Sequence, residues 1–378
     1  MFITSIISEA PKPKVGRPFQ HIEDLVFMEG SAGAKRSLAR LQDVAKGVKL
    51  RYKWDGKPQV YWGREPNGQF IMCGHNGWLS KDPAGKSQSA RGLAGFIMGT
   101  GKAATDDEIS ARQAFATEFA SLWPLFEAAT PRDFRGYVYG DLLYLRRPEI
   151  TEGRYVFTPN KVSYSVPAQS QLGARIAKST AAVVGHAFFP EFGMPDESQQ
   201  PISDFSQFAG NSNLVVMGAT YVEQMPSVDA AKLKQIEQYV NANAAAIDAF
   251  TNDEQLAALK MTGFKSDVLY RFNNQMAGSG QLSGLANKFI QWVQTSKTSD
   301  TMKQKIADWV QRNQKGFVAT FTVLENIRQV KDHIIQQSDT QGEITQQTGD
   351  QPGGEGYVMY HPTGNVKFVP RHRWTPTR

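Results

Sequence analysis

The chain has 378 residues, 40% of them hydrophobic and 21% charged, enough apolar mass to bury a full core and to divide into two domains. Its formal charge of +6 favours polyanionic partners or describes a solvated basic surface, and Cys73, the one cysteine, excludes an intramolecular disulfide and a cysteine-ligated zinc. The opening MFITSIISEAPKPK places its lysines after a short apolar run, and no run of about eighteen apolar residues occurs, so neither secretion nor membrane insertion is expected and a cytoplasmic location is.

From about Ala34 to Ala45, Leu38, Leu41 and Val44 recur at helical spacing, with Gly47 as a C-terminal cap. VKLRYKWDG follows, where Val48, Leu50 and Tyr52 alternate with Lys49, Arg51 and Lys53, the period of a half-buried strand with Lys53 on its polar face. PQVYWG and QFIMC are β-rich runs joined by Arg64-Glu65-Pro66-Asn67-Gly68, a hairpin loop by its Pro and Asn-Gly chemistry. Lys81 to Lys102 is rich in Gly, Ser and Ala without a clear period and reads as a long loop. Thr105 with Glu108 forms a capping box, and Ile109, Phe115, Phe119, Leu122 and Phe126 mark the helix it opens. RGYVYGDLLYL and RYVFTP read as strands, and VVGHAFFPEF as another apolar, aromatic run.

Beyond Pro226 the apolar residues fall at helical intervals: Leu233, Ile236, Val240 and Ile247, then Leu285, Phe289 and Val293, then Ile306 and Val310, then Phe317, Phe321, Leu324 and Ile327. Residues 338–354 are polar and read as a linker or loop, after which GYVMYH and NVKFV resume the strand pattern. The expected organisation is an α+β core over residues 1–225, an inserted all-α subdomain over 226–340, and a return to the core over 341–378.

Lys53-Trp54-Asp55-Gly56 carries the chemistry. Residues two apart on a strand face the same way, so the amine of Lys53 and the carboxylate of Asp55 share a surface. A lysine attacks phosphorus only when neutral, which neighbouring cations or a metal can promote, and Gly56 allows a tight turn and close approach to a ligand. An exposed strand-to-turn Asp-Gly is the plainer reading of the same four residues.

With the further motifs in fixed order, the sequence resembles the covalent nucleotidyltransferase superfamily of ATP-dependent DNA ligases, RNA ligases and mRNA capping enzymes. Lys53 matches the lysine of that family's K-x-[DE]-G motif, which forms a phosphoramidate with the nucleotide. YVYGDLLY looks like its Gly-acid strand, with Asp141 where the family usually carries Glu. Glu355-Gly356-Tyr357-Val358 matches E-G-x-V, and Lys367 in NVKFV looks like the lysine of the last strand, one where the family usually has two. HAFF resembles the aromatic strand, with Phe188 as the ring stacked on the purine, and His75 stands where a basic residue is usual.

The resemblance spans residues 48–190 and 353–371 and implies a core of two antiparallel sheets, ATP-grasp-like, flanking a nucleotide cleft. It implies catalysis by Lys53, Asp55 and Lys367, nucleotide contacts from Gly56, Arg64, His75, Phe188 and Glu355, and Mg²⁺ or Mn²⁺ on Asp141 and Glu355. The expected activity is ATP-dependent joining of 5′-phosphate and 3′-hydroxyl nucleic-acid ends through lysyl-AMP. Capping-type transfer of GMP, and a nucleic-acid-binding protein without catalysis, are the alternatives. The last motif lies close to Arg378, so the oligonucleotide-binding barrel that follows in DNA ligases and capping enzymes is not expected. Some RNA ligases carry an accessory helical domain instead, and the helical block here, though placed differently, leans the expectation toward RNA.

Overall fold

The computed structural model describes residues 20–100, 105–202, 204–218, 220–222, 224–276, 282–340 and 342–371. It is mixed α and β, with three sheets, and the chain forms two compact units. The first holds Tyr52–Tyr221 with Gly342–Glu355. Among the described residues, the second takes those within 20–51, 222–340 and 356–371.

In the first unit a six-stranded sheet runs in the order Gln200–Pro201, Ala181–Phe189, Gly136–Tyr144, Gln59–Arg64, Phe70–Gly74, with Leu214–Met217 added in parallel beside Ala181–Phe189. The Gln59–Arg64 and Phe70–Gly74 strands form the expected hairpin, closed by Glu65 N–H to Gln69 O and by Gly68 at φ 86°. Alternation gives this sheet two faces. Val60, Trp62, Met72, Val138 and Val183 pack against helices Asp106–Ser121 and Trp123–Ala129, while Tyr61, Cys73, Tyr137 and Phe189 enclose Trp78 on the other side. Thr105 and Glu108 close the capping box the sequence predicts.

A second, antiparallel sheet of the same unit has the order Gln351–Pro352, Thr345–Thr348, Val162–Pro167, Arg154–Phe157, Ile150–Thr151. Two of its strands come from the stretch expected as a linker. Its Thr and Gln side chains carry no apolar alternation, so the strand is held by backbone pairing of Thr345–Thr348 with Ser165–Val162, a partner that lies far off in sequence.

The loop expected over 81–102 contains helix Ala90–Gly99, capped by Ser89, whose Oγ accepts from Gly92 N–H. Gly92, Gly95 and Gly99 dilute the period, yet Leu93 is buried and Phe96 and Ile97 continue its stripe. Residues 101 and 102 lie outside the described residues. The strand expected over Val48–Lys53 shortens to Arg51–Tyr52, and Lys53 begins an irregular segment.

In the second unit helix Leu25–Ala45, interrupted at Gly30 (φ 64°), packs with Ala230–Phe250 and Gln314–Asp339, and Leu285–Thr295 and Asp300–Arg312 complete a core around Phe250, Phe289 and Phe317. The stripes through Phe289, Val310 and Phe317 supply that core, and Leu233, Ile236, Val240 and Ile247 of the first stripe are buried as well. Strand Val366–Phe368 pairs in parallel with Gln20–His21 and antiparallel with Tyr357–Met359. The helices are thus grouped with segments from both ends of the described chain, a boundary different from the expected 226–340 insertion. A buried ionic cluster ties the group together: Lys331 and Arg371 donate to Glu23 at 2.7 Å each, Lys331 also donates to the Val369 carbonyl at 2.9 Å, and Arg371 bonds Asp24.

Candidate nucleotide-binding site

The segment Lys53–Pro58 is stitched to both sheets of the first unit. Lys57 N–H donates to Leu142 O at 2.9 Å and Leu142 N–H to Pro58 O at 3.0 Å, joining it to strand Gly136–Tyr144. On its other side Trp54 packs on Tyr164, centroids 4.6 Å apart, and Asp55 N–H donates to the Tyr164 hydroxyl at 2.6 Å. The Asp55 carboxylate is buried and accepts three bonds, from Asn160 Nδ2 (2.8 Å), Lys161 N–H (2.7 Å) and Val162 N–H (3.0 Å). Asp55 therefore fixes the segment to strand Val162–Pro167, which makes it an anchor for the lysine two residues earlier.

Lys53 is left one-third exposed at a cleft of ≈570 Å³, within the size range of small-molecule sites. Its ammonium is hydrogen-bonded to the Glu355 carboxylate. Asp141 lines the same cleft, and Gly56 packs directly over it: an added Cβ would lie 2.4 Å from Asp141 Cβ and 3.0 Å from Leu142 O. The three carboxylates act on one neighbour. Burial, joined by the charges of Asp55, Glu355 and Asp141, holds the Tyr164 phenol well above its ordinary range.

A second wall is apolar and aromatic. Phe96 and Ile97 from helix Ala90–Gly99, Phe115 and Phe119 from helix Asp106–Ser121, and Tyr139 from the six-stranded sheet line it. Gln59 Nε2 donates to the Tyr139 hydroxyl at 2.8 Å, and burial and then the charge of Asp141 keep that phenol well above its usual range. His75 and Asn76 also line the cleft, the His75 Nδ1 lying 3.3 Å from the Tyr61 hydroxyl.

Lys53, Asp55, Gly56, His75, Asp141 and Glu355 are thus brought to one cleft. Two expected residues of the first unit stand elsewhere. Arg64 is buried at the far end of its strand, where its guanidinium donates to the carbonyls of Pro131, Gly68, Glu127 and Thr130 at 3.0–3.2 Å. Those four carbonyls occupy the fork that a phosphate would need. Phe188 pairs with Val138 on the opposite face of the sheet, its ring edge-on to Phe134. Lys367 belongs to the second unit, on strand Val366–Phe368, where its charge acts on Asp24.

Tyr139, Phe96 and Asn160 join the cleft without being expected there. Tyr139 is legible in the sequence, two residues before Asp141 on the same strand face; Phe96 is hidden by the glycines around it, and Asn160 by its place in a turn far along the chain.

A resident Mg²⁺ fits part of this donor set. Asp141 Oδ1 is buried without a hydrogen-bond partner, a carboxylate oxygen that a cation would satisfy. Among the described residues no group of three or more His, Cys, Asp or Glu surrounds a metal position. Mg²⁺ is commonly held by one or two carboxylates with phosphate and water oxygens completing its shell. No helix among the described residues is long and apolar enough to cross a membrane.

A family model described as "Family of unknown function (DUF6267)" matches residues 18–77 and 113–376. No curated protein and no solved structure matches the chain.

Proposed function

The chain belongs to the family of unknown function DUF6267, and we propose that it is an ATP-dependent polynucleotide ligase that works through a covalent lysyl-AMP on Lys53. The observation that carries this reading is a lysine amine held by Glu355 at a cleft that also contains Asp141, under a glycine that no other residue could replace without displacing that carboxylate.

The amine must shed its proton before it can attack, and Glu355, already hydrogen-bonded to Nζ, is placed to receive it. Lys53 then attacks the α-phosphorus of ATP. A P–N bond forms as the bond from that phosphorus to the bridging oxygen breaks, and pyrophosphate leaves. A nucleic-acid 5′-phosphate oxygen next attacks that phosphorus as the P–N bond breaks, and the departing nitrogen takes back the proton from Glu355 to return the amine. Finally a 3′-hydroxyl attacks that 5′-phosphate, its proton passing to solvent, and AMP departs as the strand is sealed. Magnesium held by Asp141 and Glu355 would supply charge neutralisation at the triphosphate. The aromatic wall of Phe96, Phe115 and Tyr139 takes the purine, the role expected of Phe188, because a base needs flat apolar surface that the carboxylates do not provide.

Incubation with α-labelled ATP or GTP followed by denaturing electrophoresis tests the proposal. Label from ATP that survives denaturation and disappears in Lys53→Ala supports it. A folded protein that takes no label from either nucleotide overturns it, and label from GTP alone replaces it with capping-type transfer. Matched nicked RNA and DNA duplexes then identify the polymer joined.

A further inference from the structure

Strand Ala181–Phe189 pairs with Gly136–Tyr144 with two register shifts, one between Leu142 and Tyr144 and one between Tyr139↔Ala187 and Gly140↔Gly185, and the latter leaves His186 without a partner on that strand. Such a bulge re-aims the side chain of its extra residue. Two glycines pair across the strands beside the bulge, where the neighbouring backbone and the Phe205 ring leave no space for a side chain. A Cβ on Gly140 would lie 2.4 Å from Val184 O, and one on Gly185 would lie 2.1 Å from the Phe205 ring. His186 consequently reaches Asp141, with Nε2 2.8 Å from Oδ2, and packs on Tyr139 at 5.3 Å between centroids. A carboxylate only accepts, so the bond requires the hydrogen on Nε2. Asp141 is about nine-tenths buried, and its other oxygen, Oδ1, has no partner, although Asp141 lines the cleft beside Lys53.

We propose that His186 is a positioning residue that locks Asp141 through Oδ2 and so presents Oδ1 as a ligand for a divalent cation in the Lys53 cleft. This deepens the function proposed above and rests on it for the metal's purpose. The arrangement is the usual one by which a partner behind a ligating side chain holds it in its binding rotamer, and loss of such partners typically weakens metal binding about 10–100-fold.

The test is binding of Mn²⁺ alone, without nucleotide, to the full chain, followed by electron paramagnetic resonance of the free ion. Asp141→Asn should abolish the site. His186→Ala should weaken Mn²⁺ about 10–100-fold, and His186→Gln, whose amide can still donate to Oδ2, should restore most of that loss. In the labelling reaction His186→Ala should raise the Mg²⁺ concentration needed for half-maximal rate while leaving the rate at saturating Mg²⁺ near that of the unaltered chain. Wild-type affinity in His186→Ala, retained binding in Asp141→Asn, no Mn²⁺ binding to the unaltered chain, or His186→Gln no better than His186→Ala would each overturn the assignment. Because Mn²⁺ binding is read without nucleotide, a chain that fails to label yet loses Mn²⁺ in His186→Ala separates failure of the ligase reading from failure of this one.

Discussion

A Cβ on Gly56 would stand 2.4 Å from Cβ of Asp141, closer than two side chains can approach. The segment carrying Lys53 and the strand carrying Asp141 are in contact only because position 56 has no side chain. Gly56→Ala should therefore push the two apart, costing about 1–3 kcal/mol of stability and most of the lysyl-AMP label. Urea unfolding and the gel assay on the same preparation check both, and a Gly56→Ala chain that labels at the wild-type rate refutes the coupling.

Asp55 accepts three hydrogen bonds out of water, so its loss should be felt first as stability. Asp55→Ala leaves two backbone N–H groups and Asn160 without their acceptor and should cost about 2–4 kcal/mol. Asp55→Asn should cost less, since one amide oxygen can still accept, but its NH₂ then meets a donor. Thermal melts of the two variants should fall in that order.

Arg64 discriminates a structural arginine from a phosphate-binding one. Its fork spans four carbonyls, a reach that the single nitrogen of lysine lacks. Arg64→Lys should lose about 1.5–3 kcal/mol and leave KM for ATP in the labelling step unchanged. A raised KM with unchanged stability would return Arg64 to the nucleotide.

Phe96→Ala should raise KM for ATP several-fold with little change in kcat, since in the proposed function this cleft-lining ring takes the base and not the reacting phosphorus. Phe96→Tyr should keep the flat surface and much of the affinity. Steady-state labelling at varied ATP separates the two parameters, and an unchanged KM in Phe96→Ala would remove this ring from the nucleotide site.

The acid limb of stability should report on Glu23. Burial raises its pKa, but the charges and hydrogen bonds of Lys331 and Arg371 outweigh that and bring it down to about 2, from 4.5 for the ordinary group. A depressed folded-state pKa means stability that is complete above 4.5 and is lost as pH falls toward about 2. Asp24, raised by burial, works in the opposite sense, its contribution shrinking as pH rises. The stability gap between the unaltered chain and Glu23→Gln, taken from urea midpoints, should thus narrow from about pH 5 to about pH 2. Lys331→Met should cost about 3–5 kcal/mol at neutral pH, because it leaves Glu23 buried beside a single cation.

The elements are legible where a period reaches the chain directly. The Gln59–Arg64 hairpin, the Thr105 capping box and the stripe through Leu233 and Val240 all follow from spacing within about twenty residues. Lys53, Asp141 and Glu355 can be nominated together because each sits in a short motif of its own. Strand Thr345–Thr348 is not legible, since its reason for being a strand is a partner nearly two hundred residues earlier. His186 escapes notice for a related reason: alternation predicts faces only while register holds, and the bulge at His186, between the pairs Tyr139↔Ala187 and Gly140↔Gly185, breaks it.

By itself the amino-acid order determined which segments alternate, which wind, and which carry an amine or a carboxylate, because those properties depend on neighbours a few positions away. Only the tertiary structure decided that Asp55 anchors, that Arg64 is saturated by carbonyls, that Phe188 turns away while Tyr139 faces the cleft, and that Asp141 keeps one buried oxygen without a hydrogen-bond partner. Each of those outcomes depends on which distant backbone groups fill a side chain's hydrogen-bonding capacity, and on a one-residue shift between paired strands, quantities that no local pattern encodes.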